Sequence, residues 1–345
     1  MDQFIQDQFE AIAVGLFVFG SVLGLLLDAW SLRMCRQFCE DHASVNENNA
    51  SCSQNNLASR ILTPVLTGAI LAGYFVAVFG LRMHSTSEVL PALFWVYGRA
   101  IGHLVLVILL IEATVTDFRE YIIPDQITVP GMIAGVTLAT ISGDTQLMHF
   151  WVDWNQAVAE IRGPYIPAWI GEHTHWHGFV WSMTGLIAGG GVTWLVRWLS
   201  SVVLGQESLG LGDVTLMAMI GSFLGWQPLV FVFLLAPLCG IAMGLGVRLV
   251  TNRTYIPFGP YLSMAAVVVL FAWKSLWMLE ISNEFSIRKL FGDAPGLAIL
   301  AGISLAAFVA LLICLRLYRL IPGKPRRAES SPADESPTIG NADAS

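Results

Sequence analysis

Residues 109–117 read LLIEATVTD, an apolar run that ends on an aspartate. A second aspartate, Asp213, follows the turn GLG and opens the apolar run VTLM. A carboxylate beside hydrocarbon is costly to keep ionised, so an acid in such a position usually has a function. Two carboxyls brought together would resist losing both protons, because the second charge must form beside the first. Such a pair would offer one acid and one base at the same pH.

The composition is typical of a protein embedded in a membrane. Of the 345 residues, 55% are hydrophobic and only 12% are charged, whereas a soluble domain carries about a quarter charged residues. A span needs about 20 apolar residues, and the sequence predicts an all-α polytopic helix bundle with eight or nine spans. The nine candidates cover residues 11–30, 61–80, 94–116, 127–142, 178–196, 213–227, 229–247, 258–279 and 295–315.

The distribution of basic residues predicts the orientation. With the N-terminus outside, 12 of the 18 lysines and arginines fall on the cytoplasmic side, as the positive-inside rule requires. Both aspartates then lie at cytoplasmic ends of their spans. Residues 143–177 become an extracytoplasmic loop, and residues 321–345, rich in Pro, Ser and acid, a disordered cytoplasmic tail. The net charge of −7 indicates no nucleic-acid partner.

Two glycines flank Leu211 just before the second aspartate. Gly210 and Gly212 carry no Cβ, so the backbone there can turn sharply and approach another segment closely. The simpler alternative is that Asp213 is an ordinary helix N-cap.

A short loop follows the first aspartate. It runs from Asp117 to Pro124 and Asp125, where the next helix is expected to start. We expect Asp125 to cap that helix, accepting from its first amide groups, and to have no role in the chemistry.

A third motif lies on the same predicted face. Pro257 and Pro260 bracket Phe258 and Gly259, which predicts a rigid, non-helical entry into a span. The alternative is a helix breaker that makes no contact with a substrate.

In their order, these motifs resemble those of the prepilin peptidases, the type IV leader peptidase family of GxGD-type intramembrane aspartic proteases. That family shows an aspartate followed after six residues by Pro-Asp, then Gly-x-Gly-Asp, then Pro-Phe-Gly-Pro. The resemblance covers roughly residues 95–265 and implies a transmembrane peptidase domain within residues 1–320. It implies that Asp117 and Asp213 are catalytic, with neither a metal nor a cofactor, and that the remaining motif residues support the site: Gly210, Gly212, Pro124, Asp125, Pro257, Phe258, Gly259 and Pro260.

The resemblance also implies a substrate. The protein would cleave the leader peptide of type IV prepilin-like or pseudopilin precursors at the cytoplasmic face of the bacterial inner membrane. Its partners would be the substrate's apolar helix and the lipid bilayer.

The first cytoplasmic loop departs from the family pattern. Members that methylate the new N-terminus usually carry two C-x2-C pairs there, whereas this loop has Cys35, Cys39 and Cys52 at C-x3-C-x12-C. We therefore expect the N-methyltransferase zinc module to be missing.

A second departure lies beside the second aspartate. The family often has a lysine two residues after this aspartate, and Thr215 occupies that position here.

Two further groups of polar residues stand out. Glu112 precedes Asp117 by five positions, about 140° around a helix, so we expect it to face elsewhere and to make a hydrogen bond within the bundle. His173, His175 and His177 would point the same way in an extended segment, as metal ligands could. Surface histidines are the simpler interpretation.

Two alternative functions stay open at this level. A proton-coupled transporter could use the buried acids as relays and the short sixth span as a broken helix. An inactive family member could serve as a scaffold of a secretion or pilus system. Against the transporter, the sequence shows no inverted repeat, and the acids lie at one face rather than at mid-bilayer.

Overall fold

The computed structural model describes residues 8–43, 57–86, 89, 93–158, 163–165, 167–206, 209–251, 257–280 and 286–320. The predicted tail at 321–345 and Cys52 lie outside these residues.

The described chain is almost entirely helical. Its helices are α1 (Phe9–Ala43), α2 (Leu57–Phe75, continued by a short π-helix, Val76–Gly80), α3 (Leu93–Glu120), α4 (Asp125–Ser142), α5 (Ala168–Glu172), α6 (Thr174–Leu204), α7 (Leu211–Leu224), α8 (Trp226–Thr251), α9 (Gly259–Trp277), α10 (Ile287–Gly292) and α11 (Ala294–Leu320). Two short antiparallel strands, β1 (Asp153–Val158) and β2 (Gly163–Tyr165), form a hairpin between α4 and α5.

Seven helices of the described chain are long and apolar enough to cross a membrane: α1, α2, α3, α6, α8, α9 and α11. This confirms the all-α polytopic fold. The other two predicted spans are also helical. However, α7 has only 14 residues, fewer than the roughly 20 that a bilayer requires. Helix α4 has 18 residues and opens with the polar pair Asp125 and Gln126.

Helix α7 lies at the centre of the bundle. All its residues from Leu216 to Leu224 are buried, and it contacts α3, α4, α6, α8 and α9. Its closest neighbour is α6. A Cβ on Gly185 of α6 would lie 2.1 Å from the carbonyl oxygen of Gly221 on α7, so the two backbones touch there. A helix that is apolar all round is typical of such an enclosed position.

The predicted outer loop contains structure of its own. It holds the β-hairpin and α5, and α6 already begins at Thr174. His175 and His177 are therefore helical rather than extended. Alternate residues of a helix are rotated by about 200°, so they do not point the same way. His177 is buried, and its ring accepts a hydrogen bond from the Phe150 N–H (2.9 Å). Within the described ranges, no three His, Cys, Asp or Glu side chains are grouped to hold a metal ion.

Candidate active site

The first aspartate lies in the last turn of α3. The chain leaves this helix at Tyr121, whose φ of 57° is left-handed and whose N–H bonds the Asp117 carbonyl oxygen (3.0 Å). The Asp117 side chain is buried, and its Oδ2 accepts a hydrogen bond from the backbone N–H of Gly259 (3.1 Å). The carboxyl is thus held by the start of α9, 142 residues further along the chain.

Glycine is required where α9 meets this carboxyl. A Cβ on Gly259 would lie 2.5 Å from Oδ2 of Asp117 and 2.8 Å from Cδ1 of Ile123. Helix α9 begins at Gly259 with Phe258 at its N-cap, so the non-helical entry covers only the first part of the motif. Pro260 lies in the first turn, where proline costs no helical hydrogen bond. Of the motif, only Phe258 is exposed.

The second aspartate lies in the first turn of α7. Gly210 is the N-cap, and Oδ2 of Asp213 accepts a hydrogen bond from its N–H (3.2 Å). Asp213 is therefore not the cap itself but reaches back to it, as the third residue of a capping box does. The preceding loop is held by Arg197, whose guanidinium donates to the Leu209 carbonyl.

Burial affects the titration of this second carboxyl. Asp213 is buried at the end of α7, a helix too short to span the bilayer. Removal from water raises the pKa of Asp213 to about 6, against the opposing effect of the Gly210 hydrogen bond. The charged form is disfavoured because little water reaches it.

One residue, Ile123, joins the segments that hold the two acids. A Cβ on Gly212 would lie 3.0 Å from Cβ of Ile123, whose Cδ1 also lies against Gly259. The carboxyls of Asp117 and Asp213 are close enough to interact electrostatically. The structure therefore brings both predicted acids to one end of the bundle, which we call the aspartate end.

The loop between α3 and α4 differs from the prediction in one respect. Pro124 occupies the N-cap of α4, and the helix begins at Asp125. The prediction that Asp125 caps this helix was therefore wrong. Its exposed carboxyl lies in the first turn instead, where the helix dipole favours an anion.

Comparison with known proteins identifies the domain that carries these acids. Residues 104–245 match the type IV leader peptidase family. This segment is a type IV leader peptidase domain. It contains both aspartates, whereas the Pro-Phe-Gly-Pro motif that holds Asp117 lies just beyond it.

The chain is similar to several curated proteins over about half of its length. Three of them are each named prepilin leader peptidase/N-methyltransferase. The protein from Aeromonas salmonicida is 30% identical over 182 residues, which are 51% of this chain and 52% of the relative. The protein from Pseudomonas putida is 29% identical over 193 residues (54% of this chain and 54% of the relative), and the one from Escherichia coli K12 is 31% identical over 166 residues (47% of this chain and 60% of the relative). The chain spans about half the length of the curated relatives it matches. No solved structure matches it.

A buried ion pair ties α1 to the leader peptidase domain near the aspartates. The guanidinium of Arg119 pairs with the Asp28 carboxylate and donates to the Asp28 carbonyl (3.2 Å) and the Ser31 hydroxyl. Sequence reasoning missed this pair, because the count of basic residues on each side does not show which acid a given arginine contacts. The available signal was Asp28 itself, an acid inside the first apolar span.

Glu112 does not behave as predicted. Its side chain is completely buried, and neither carboxylate oxygen has a hydrogen-bond partner in the part of the chain that the structure describes. The predicted hydrogen bond within the bundle was therefore wrong. The acid lies close enough to Arg119 and Asp28 for electrostatic interaction with both.

Proposed function

We propose that this protein is an aspartic endopeptidase that removes the leader peptide from type IV prepilin-like or pseudopilin precursors. The observation that carries the proposal is the convergence of Asp117 and Asp213 at one end of the bundle, within a leader peptidase domain. The names of the relatives favour a peptidase over a transporter. We further propose that the aspartate end faces the cytoplasm of a bacterial cell, with the protein in the inner membrane.

The proposed mechanism uses the two carboxyls as a unit that shares one proton. The ionised carboxyl takes a proton from water as the water oxygen attacks the scissile carbonyl carbon. The protonated carboxyl donates a hydrogen bond to the carbonyl oxygen, where negative charge develops. Collapse of the tetrahedral intermediate breaks the C–N bond, and the leaving amine takes a proton from the pair. A coupled pair titrates as a unit, so the acid and the base are not assigned to individual residues.

The backbone orients each carboxyl for this chemistry. The N–H of Gly259 binds Oδ2 of Asp117, and the N–H of Gly210 binds Oδ2 of Asp213. This leaves Oδ1 of each carboxyl for the water and the scissile carbonyl. Both donors lie at helix starts, so the backbone positions the two oxygens before the substrate arrives.

The names of the relatives include a second activity, N-methyltransferase. We propose that this chain lacks it. The missing C-x2-C pairs support that expectation. The side chains of Cys39 and Cys52 lie outside the described residues, and Cys35 is buried on α1. Mass spectrometry of the mature product, with S-adenosylmethionine supplied, should show an unmethylated N-terminus.

The direct test is cleavage of a precursor by the purified protein. Incubation in detergent with a prepilin-like precursor should yield one shortened product, cut at a single peptide bond and identified by mass spectrometry. A transporter or an inactive scaffold would leave the precursor intact.

The pH dependence of cleavage should reflect the buried second aspartate. Its pKa is raised to about 6 by burial, whereas an ordinary aspartate titrates near ~4. The pair needs one ionised carboxyl, so kcat/KM should fall as the pH drops through about 6. Initial rates measured between about pH 4.5 and pH 8 would show this midpoint. A rate that stays constant from about pH 6.5 down to pH 5 would contradict the prediction.

Gly259→Ala should impair catalysis more than stability. The added methyl group would lie 2.5 Å from Oδ2 of Asp117 and displace the carboxyl. A misplacement of about 1 Å can cost on the order of 100-fold, so we expect kcat to fall by about that factor. The matched control is Gly246→Ala, where nothing lies within 4 Å of the new Cβ. Equal kcat values for the two variants would refute the proposed role of this contact.

A further inference from the structure

A single peptide group links Arg197 to the second aspartate. The N–H of this group belongs to Gly210 and donates to Oδ2 of Asp213 (3.2 Å). Its carbonyl oxygen belongs to Leu209 and accepts a hydrogen bond from the guanidinium of Arg197 on α6. The peptide between residues 209 and 210 is therefore held at both ends, by a carboxyl at one end and by a cation at the other.

The peptide group that binds the first aspartate is held in a different way. It joins Phe258 to Gly259, whose N–H donates to Oδ2 of Asp117 (3.1 Å). Phe258 is the N-cap of α9. Its carbonyl oxygen accepts from amides of the helix itself, those of Tyr261 (3.0 Å) and Leu262 (3.4 Å). The backbone of α9 therefore fixes this peptide without help from a side chain.

The corresponding carbonyl at α7 lies one residue outside the helix. Gly210 is itself the N-cap, and the N-cap carbonyl is the first that accepts a bond within a helix. The carbonyl of Leu209 comes before it, so its donor must come from another segment, and α6 supplies Arg197. Residue 210 is also a glycine, whose φ can take either sign. Without the guanidinium, the peptide could rotate and turn its N–H away from Asp213.

We propose that Arg197 is a positioning residue for the cleavage reaction, which holds the N–H of Gly210 on Oδ2 of Asp213. This inference rests on the proposed function, because it assigns a role at the same pair of carboxyls. The guanidinium fixes the plane of the peptide. Its charge also polarises the peptide group, which makes the N–H a stronger hydrogen-bond donor. In this role Arg197 touches neither the attacking water nor the scissile bond.

Arg197→Met should lower kcat about tenfold at about pH 8, as expected when a hydrogen bond to a charged group is weakened. KM should change by less than about twofold, because the contacts that bind the substrate are unaltered. The Gly210 hydrogen bond lowers the pKa of Asp213 against the effect of burial. Weakening this bond should therefore move the acid-side midpoint of kcat/KM upward, by about half a pH unit. Arg197→Lys keeps a charged donor and should keep the wild-type midpoint and at least about a third of kcat.

A second variant tests whether Arg197 acts through the Gly210 N–H. Gly210→Pro removes this donor, and the backbone there has φ −70° and ψ 153°, which proline adopts without strain. A Cβ at this position would meet nothing closer than Oδ2 of Asp213, at 3.4 Å. Gly210→Pro should impair cleavage at least as much as Arg197→Met, and adding Arg197→Met to it should change kcat by less than about twofold. A further tenfold loss in the double variant would overturn the proposal, because Arg197 would then act by another route.

The matched control is Arg316→Met, which removes an exposed arginine near the end of α11. It should leave kcat, KM and the pH midpoint unchanged. Wild-type kcat and midpoint in Arg197→Met would refute the proposed role. Unfolding of Arg197→Met, or a lower kcat with an unchanged midpoint, would assign Arg197 a purely structural role instead. Failure of the unaltered protein to cut the precursor would overturn the proposed function itself.

Discussion

Replacing either Asp117 or Asp213 by asparagine should reduce kcat for precursor cleavage by about 10³-fold or more. Asparagine keeps the shape of the side chain but neither gives nor takes a proton at neutral pH, so the pair loses its acid or its base. The measurement is the rate of precursor loss with purified variants in detergent. Because the carboxyls act as a unit, the double variant should be hardly slower than either single one.

The control separates loss of chemistry from loss of folding. The amide oxygen of asparagine at position 117 can still accept the hydrogen bond from Gly259, so the variants should remain folded and inserted in the membrane. Asp293→Asn, an exposed acid just before α11, removes the same charge elsewhere and should leave kcat unchanged. Wild-type cleavage by either active-site variant would end the assignment of the pair.

Local features of the chain predicted the positions of the acids. The apolar run that ends at Asp117 and the glycines before Asp213 each lie within a few residues of the group they position. Hydropathy predicted a helix at every one of the nine candidate spans, because the backbone hydrogen bonds of a helix are all made within its own segment. It could not show which helices are enclosed by others. Helix α7 is one of these, because its residues from Leu216 to Leu224 are all buried by neighbouring helices.

Contacts between distant segments could not be predicted in the same way. The hydrogen bond from Gly259 to Asp117 joins residues 142 positions apart, and nothing local to either residue specifies it. The partner of Arg119 is Asp28, on the first helix, for the same reason. Glu112 was expected to find a hydrogen bond because most buried polar groups do, but a sequence does not show which groups face it.

Arg119→Met should lower the free energy of unfolding by about 3–5 kcal/mol. Arg119 and Asp28 are both about 8% exposed in their side chains, and removal of one partner leaves an unpaired charge in the bundle. Denaturant-induced unfolding in detergent would measure the effect as a shift of the midpoint to a lower denaturant concentration. Arg36→Met, an exposed arginine on α1, is the matched control and should change the midpoint little.

The double variant Asp28→Asn, Arg119→Met discriminates an unpaired charge from lost packing. If the cost comes from the isolated Asp28 carboxylate, neutralising it should recover most of the lost stability, because a buried pair and its neutral replacement are often similar in energy. The pair also ties α1 to α3. A double variant as unstable as Arg119→Met would assign the effect to packing.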